Sequence, residues 1–119
     1  MKSKQSLEFL MNSIQYTYDA MLDLIEIERY ITEEFASPVA AKNTVAKIAK
    51  HIRLLEDFPE LGALLSSIVN FESEYRFLVC GKYLAFYRIA GSDVHVIRVI
   101  YGKRDYLTIL FGDSEFEAK

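Results

Sequence analysis

Five residues in the C-terminal half have types and spacing suited to chemistry on an anion: Arg76, Arg88, Tyr101, Lys103 and Arg104. A guanidinium offers a planar fork that makes two hydrogen bonds to one phosphate, and it can stabilise charge developing on a scissile phosphodiester. They lie in Tyr75–Asp105, which also contains Lys82 and Arg98, so that six basic residues stand against Asp93 and Asp105 in a chain of net charge −3. Positive charge gathered in one segment of an otherwise acidic chain points to an anionic partner. Tyr83, Phe86, Tyr87, Tyr101 and Tyr106 interleave with these cations, as aromatic rings do on base-stacking surfaces. Strands favour aromatics for packing in any case, so core filling is the default reading, with Tyr101 and Tyr106 set apart by their place near Lys103-Arg104. The ordinary use of each arginine is to snorkel over apolar sheet surface or to pair with an acidic helix.

Other chemistries find little support. The single Cys80 allows no internal disulfide and no cysteine-rich metal site, which suits a reducing compartment. His51 and His95 lack metal-ligand spacing, and no Gly-rich phosphate loop, nucleophile elbow or helical zinc motif is present, so neither metal nor cofactor is expected. The longest apolar runs fall well short of the roughly 18 residues a membrane span needs. The N-terminal Lys2 and Lys4 give a faint signal-peptide look, but Glu8, Asn12 and Ser13 break the apolar part and no small-residue cleavage site follows. A cytoplasmic protein with no membrane partner is expected.

A chain of 119 residues, 51% apolar, is long enough to bury one core without covalent staples, and one domain over 1–119 is expected. Residues 1–12 read as a lead-in, partly helical around Leu7–Met11. Ser13–Thr17 alternates and suits a strand, and the Thr17 hydroxyl can cap the helix that follows. Met21, Leu24, Ile27, Ile31 and Phe35 then recur at helical spacing, with Asp19, Asp23, Glu26, Glu28, Glu33 and Glu34 on the other face against Arg29 alone. Ser37-Pro38 starts a second helix, a capping hydroxyl followed by proline at the first helical position. Val45, Ile48, Ile52 and Leu55 carry it to about Phe58, and Pro59 and Gly62 end it. The short link predicts an antiparallel αα-hairpin.

Residues 63–74 read as an irregular connection. Three strands follow, about Tyr75–Cys80, Tyr83–Ala90 and Asp93–Tyr101, with hairpin turns at Gly81-Lys82 and Gly91-Ser92. Alternation places Arg76, Leu78 and Cys80 on one side of the first, and Leu84, Phe86 and Arg88 on one side of the second. The expectation is that Arg76 and Arg88 lie roughly opposite one another, with Arg98 and Lys103-Arg104 extending the patch. Tyr106–Phe111 is a short apolar element able to pack on the sheet, and 112–119 is a frayed tail. The order β-α-α-β-β-β predicts an α+β fold, an αα-hairpin on one face of a mainly antiparallel sheet with the other face open.

The chain resembles the RelE/ParE superfamily, toxins of bacterial type II toxin–antitoxin modules (plasmid stabilisation or addiction modules), and within it the ParE-like branch. The resemblance is carried in order by Ala20 to Ile31, Ser37-Pro38 with Ala40-Ala41, Phe58-Pro59-Glu60-Leu61-Gly62, Tyr75-Arg76, Gly81 to Arg88, and Val99 to Asp105. It implies a toxin neutralised by a cognate antitoxin in a hetero-oligomer. Its RelE-like members cleave mRNA on the ribosome with basic residues on an open sheet face, and its ParE-like members poison DNA gyrase.

As a nuclease, this chain would use Arg76, Arg88 and Arg104 on the phosphate, with Lys103 or Tyr101 assisting proton transfer. It departs from the nuclease pattern at Leu84, where those enzymes carry arginine, at Tyr101, where many carry histidine, and at Leu110, where a late tyrosine is expected. The net negative charge also suits ribosome binding poorly. Gyrase-type inhibition is therefore the favoured expectation, with ribosome-dependent endoribonuclease and an attenuated fold that only binds its antitoxin as alternatives.

Overall fold

The computed structural model describes residues 13–112. In chain order these form β1 (Ser13–Tyr16), α1 (Tyr18–Phe35), α2 (Pro38–Arg53), a 3-10 turn (Leu54–Glu56), β2 (Ala63–Leu64), a second 3-10 turn (Leu65–Ser67), β3 (Arg76–Cys80), β4 (Tyr83–Ala90), β5 (Asp93–Tyr101) and α3 (Tyr106–Phe111). The expected helix around Leu7–Met11 and the tail beyond Gly112 lie outside the described residues. The strands make one sheet in the order β1-β5-β4-β3-β2, antiparallel except for β1, which runs parallel to β5.

The helix starts follow from their caps. Thr17 Oγ1 accepts from Ala20 N at 3.0 Å and opens α1. Ser37 Oγ accepts from Ala40 N at 3.1 Å, with Pro38 first in α2. Ala36 links them in the left-handed region at φ 50°, a single-residue reversal that folds α2 back along α1. α2 stops at Arg53 rather than near Phe58, because its last turn tightens into the 3-10 turn that carries the buried Leu55.

Two further expectations are corrected. Residues 63–74 are not all irregular: Ala63 and Leu64 pair with Phe77 and Arg76 and add a fifth strand. The sheet face away from α1 and α2 is not left open either. A second core forms there around Leu65, Phe86 and Ile100, covered by Tyr106, Ile109, Leu110 and Phe111 of α3 and by Val69. Phe111 stacks on Tyr75 with centroids 5.6 Å apart and meets the Phe71 ring edge-on at 5.4 Å. The main core lies on the other face, where Ile27, Ile31, Ile48 and Ile52 meet Leu78, Ala85, Tyr87, Val94, Val96 and Val99.

A bulge decides which residues reach those cores. β4 and β5 pair in register from Tyr83↔Tyr101 to Phe86↔Arg98, then shift so that Tyr87 faces Val96 and Ile97 is left over. Without that extra residue, strict alternation from Val94 and Val96 would turn Arg98 into the helix-side core. With it, Val99 takes that place, and the displaced Ile97 carbonyl accepts from Thr17 Oγ1 at 2.8 Å.

Candidate functional site at the end of the sheet

The two-residue turn after Cys80 fixes the register of β3 against β4, and Arg76 therefore stands opposite Tyr87, not Arg88. The expected Arg76–Arg88 pair does not form, because adjacent residues of β4 point to opposite faces. Arg76 lies on the helix side, where its Nη1 donates to the carbonyl oxygens of Gly62 at 2.8 Å and Glu60 at 3.4 Å. Beside it the Tyr87 hydroxyl donates to Pro59 O at 2.7 Å and accepts from Gly62 N at 2.9 Å. These contacts hold the Phe58–Gly62 reversal against the sheet. Arg88 sits half-buried on the opposite face, across from His95.

Arg98 does not extend the patch. Its Nε and Nη2 donate to the Asp23 carboxylate at 2.7 and 2.8 Å, and that carboxylate also accepts from Val99 N at 2.8 Å. The carboxylate hydrogen bond raises the Arg98 pKa above its ordinary value. Asp23, placed by the sequence on the helix face away from the apolar stripe, thus closes the edge of β5 beyond the reach of β1. Its signal was available: at about 100° per residue it lies only some 60° from the centre of the buried Ala20–Ile27–Ile31 face.

Tyr101, Lys103 and Arg104 do come together, joined by Lys82. Gly102 N donates to Lys82 O at 2.8 Å and ties the β3–β4 turn to the exit of β5. Arg104 N donates to Tyr101 O at 3.0 Å, and Asp105 then caps α3 by accepting from Thr108 N at 3.3 Å and Thr108 Oγ1 at 2.7 Å. Lys82, Tyr101, Lys103 and Arg104 are all exposed on this braced corner. Tyr101 meets Tyr83 edge-on, centroids 5.8 Å apart. Burial, then the phenols of Tyr101 and Tyr30, push the Tyr83 pKa up, so Tyr83 keeps its proton at neutral pH and is not a base.

The corner can therefore hold an anion or stack on a flat ring, but the five candidates do not form one site. At about 3.3 Å per strand residue, Arg88 lies roughly 16 Å along β4 from Tyr83, and Arg76 about 13 Å along β3 from Cys80. No group of three or more His, Cys, Asp or Glu able to hold a metal occurs among the described residues. Within them, no helix is long and apolar enough to cross a membrane.

The family model describing the ParE toxin of type II toxin–antitoxin systems (parDE) matches residues 14–106. The chain belongs to the ParE toxin family. It is thus the toxin component of a type II system, and membership implies an antitoxin partner. Among solved structures, a chain of the chromosomal ParDE system of P. aeruginosa superposes with a TM-score of 0.65 at 24% identity, covering 76% of this chain and 96% of that one. At that identity the likeness shows the fold. No curated protein sequence matches the chain.

Proposed function

We propose that this ParE-family toxin acts in the cytoplasm, arrests growth by binding a macromolecular target of the DNA gyrase type, and is neutralised by a cognate antitoxin in a hetero-oligomeric complex. The observation that carries the target assignment is the separation of the basic residues. Arg76 anchors the Phe58–Gly62 reversal, Arg88 lies on the other face, and of the four candidate cations Lys103 and Arg104 alone share the exposed corner with Tyr101. A phosphodiester cleavage site needs its charges converged on one phosphate within hydrogen-bonding reach. A binding toxin has no such need.

The antitoxin reading draws support from α1. Tyr18, Met21, Leu22 and Ile25 share its outward face and are 77%, 50%, 43% and 60% exposed. Two turns of a helix that are apolar on both sides require a partner, and an antitoxin segment with an apolar face fits.

Ribosome-dependent mRNA cleavage is the second reading, favoured by the exposed Tyr101 flanked by Lys103 and Arg104. Inducible expression of the chain alone, with mRNA 5′ ends and plasmid topology followed together, separates the two. Growth arrest with intact mRNA and altered topology is the expected result. Arrest with new mRNA ends, abolished by Arg104→Ala, would replace it with the nuclease. No arrest at all would leave a fold that only binds its antitoxin.

A further inference from the structure

α2 carries a second concentration of positive charge that the sheet-end corner does not use. Its 16 residues hold Lys42, Lys47, Lys50 and Arg53 together with His51, and no acid. At about 100° per residue the buried Ala41, Ile48 and Ile52 fall within about 40° of one another, while the four cations span about 140° on the far side. All four are exposed, and none makes an ion pair among the described residues, whose ion pairs join Arg29 to Glu26 and Glu33, and Arg98 to Asp23. The helix dipole accounts for Lys50 and Arg53 in the last turn but offers nothing to Lys42 or Lys47. The neighbouring α1 is the opposite, with six acids against Arg29, so the hairpin is sharply divided by charge.

The make-up of the face indicates what covers it. Protein partners are held by buried apolar or aromatic anchors, and among its described residues this face has large apolar groups only at its two ends, Val39 and, just past Arg53, Leu54. A sugar-phosphate backbone requires only charge. From Lys42 to Arg53 the helix rises about 16 Å. Duplex DNA carries one charge per about 1.7 Å of axis, so that footprint meets on the order of ten phosphates.

We propose that the exposed face of α2, through Lys42, Lys47, Lys50 and Arg53, docks the backbone of duplex DNA without reading its sequence. The choice of duplex DNA over RNA rests on the gyrase-type reading above. The toxin then holds its target with one surface and the DNA bound to that target with another.

The test is anisotropy of a labelled 20-base-pair mixed-sequence duplex with the purified full chain, between 50 and 200 mM salt. Four phosphate contacts give a slope of log K against log salt near −3.6, a loss of roughly a hundredfold over that range. The triple variant Lys42→Gln, Lys47→Gln, Lys50→Gln should keep its melting temperature and reduce the slope by about 3. A second variant, Lys82→Gln, Lys103→Gln, Arg104→Gln, removes the anion-holding corner and should reduce the slope by less than the first variant does. The proposal is overturned if the second variant alone removes binding, or if no duplex binding is measurable at 50 mM salt. It is equally overturned if polyglutamate competes as well as DNA, or if single-stranded RNA of the same length binds as tightly. Gyrase supercoiling measured in parallel keeps the two readings apart. Duplex binding without gyrase inhibition sinks the gyrase reading alone, and inhibition without duplex binding sinks the α2 surface alone.

Discussion

Replacing Asp23 by alanine removes one carboxylate and strands two donors. Arg98 loses its bidentate partner and Val99 N–H loses its acceptor. Breaking one side of a fully buried ion pair costs about 3–5 kcal/mol. Here the Arg98 side chain is 25% exposed and can turn toward water, which brings that part down to about 1–2 kcal/mol. The Val99 amide, at the edge of β5, adds about 1–3 kcal/mol for an unsatisfied donor. The sum, about 3 kcal/mol, corresponds to a drop in Tm of roughly 10–20 °C for a chain of this size. Asp23→Asn keeps an acceptor for Val99 N–H and should cost about half as much. Arg98→Ala leaves Asp23 bonded to Val99 and should cost about 1 kcal/mol. Urea unfolding of the two alanine variants and their double mutant isolates the pair, with an expected coupling of about 1–2 kcal/mol. Asp23→Ala within about 0.5 kcal/mol of the parent, the range of ordinary surface substitutions, would refute the reasoning. So would Asp23→Asn as damaging as Asp23→Ala, because the charge would then carry the whole effect.

Gly62→Ala should destabilise by about 2–4 kcal/mol in urea melts, because its Cβ would stand 2.6 Å from Phe77 O and 2.8 Å from the Tyr87 ring and hydroxyl. Tyr87→Phe leaves Gly62 N–H without its acceptor and should cost about 1–3 kcal/mol, with no change in denaturant slope. Burial pushes the Cys80 thiol from 9.0 up to about 11. Since the folded value is the higher one, the stabilisation is complete below pH 9 and is lost as pH rises toward 11, by up to about 3 kcal/mol. Tyr16, Tyr83 and Tyr87, also raised by burial, act in the same direction above pH 10. Melting curves from pH 8 to 11 should therefore fall less steeply between pH 9 and 11 for Cys80→Ala than for the parent, and equal slopes would remove Cys80 as the cause.

α1, the start of α2, β4 and β5 were legible because each is fixed by signals within a few residues: the Thr17 and Ser37 hydroxyls, Pro38, and glycines at φ 63° and 61° at the first positions of the two hairpin turns. The strand Ala63–Leu64 was not, since both residues are exposed and only backbone pairing with β3 makes them a strand. The site was legible as a collection of residue types but not as an arrangement. Whether Arg76 and Arg88 share a face depends on the number of residues in the turn between their strands: a two-residue turn pairs Arg76 with Tyr87, and one residue more or fewer reverses the answer. The fate of Arg98 depends on a bulge at Ile97 and on a partner 75 residues away in the chain. No local periodicity encodes either. The corner of Lys82, Tyr101, Lys103 and Arg104 likewise exists because Gly102 N reaches Lys82 O across two strands.

The parallel pairing of β1 with β5 has a consequence for how the toxin is made. Ser13 waits for Asp93, and Tyr16 for Val96, so the first strand of the sheet has no neighbour until the last has been synthesised. At about 5–20 residues per second that wait lasts roughly 4–16 s. During it the helical hairpin can form from local contacts, while the floor on which it rests does not yet exist. The sheet-end corner is later still, since Lys103 and Arg104 follow β5. A half-translated chain therefore offers the outward face of α1 and has no assembled corner. An antitoxin that bound the outward face of α1, as proposed above, would meet that face on the nascent chain before the corner exists.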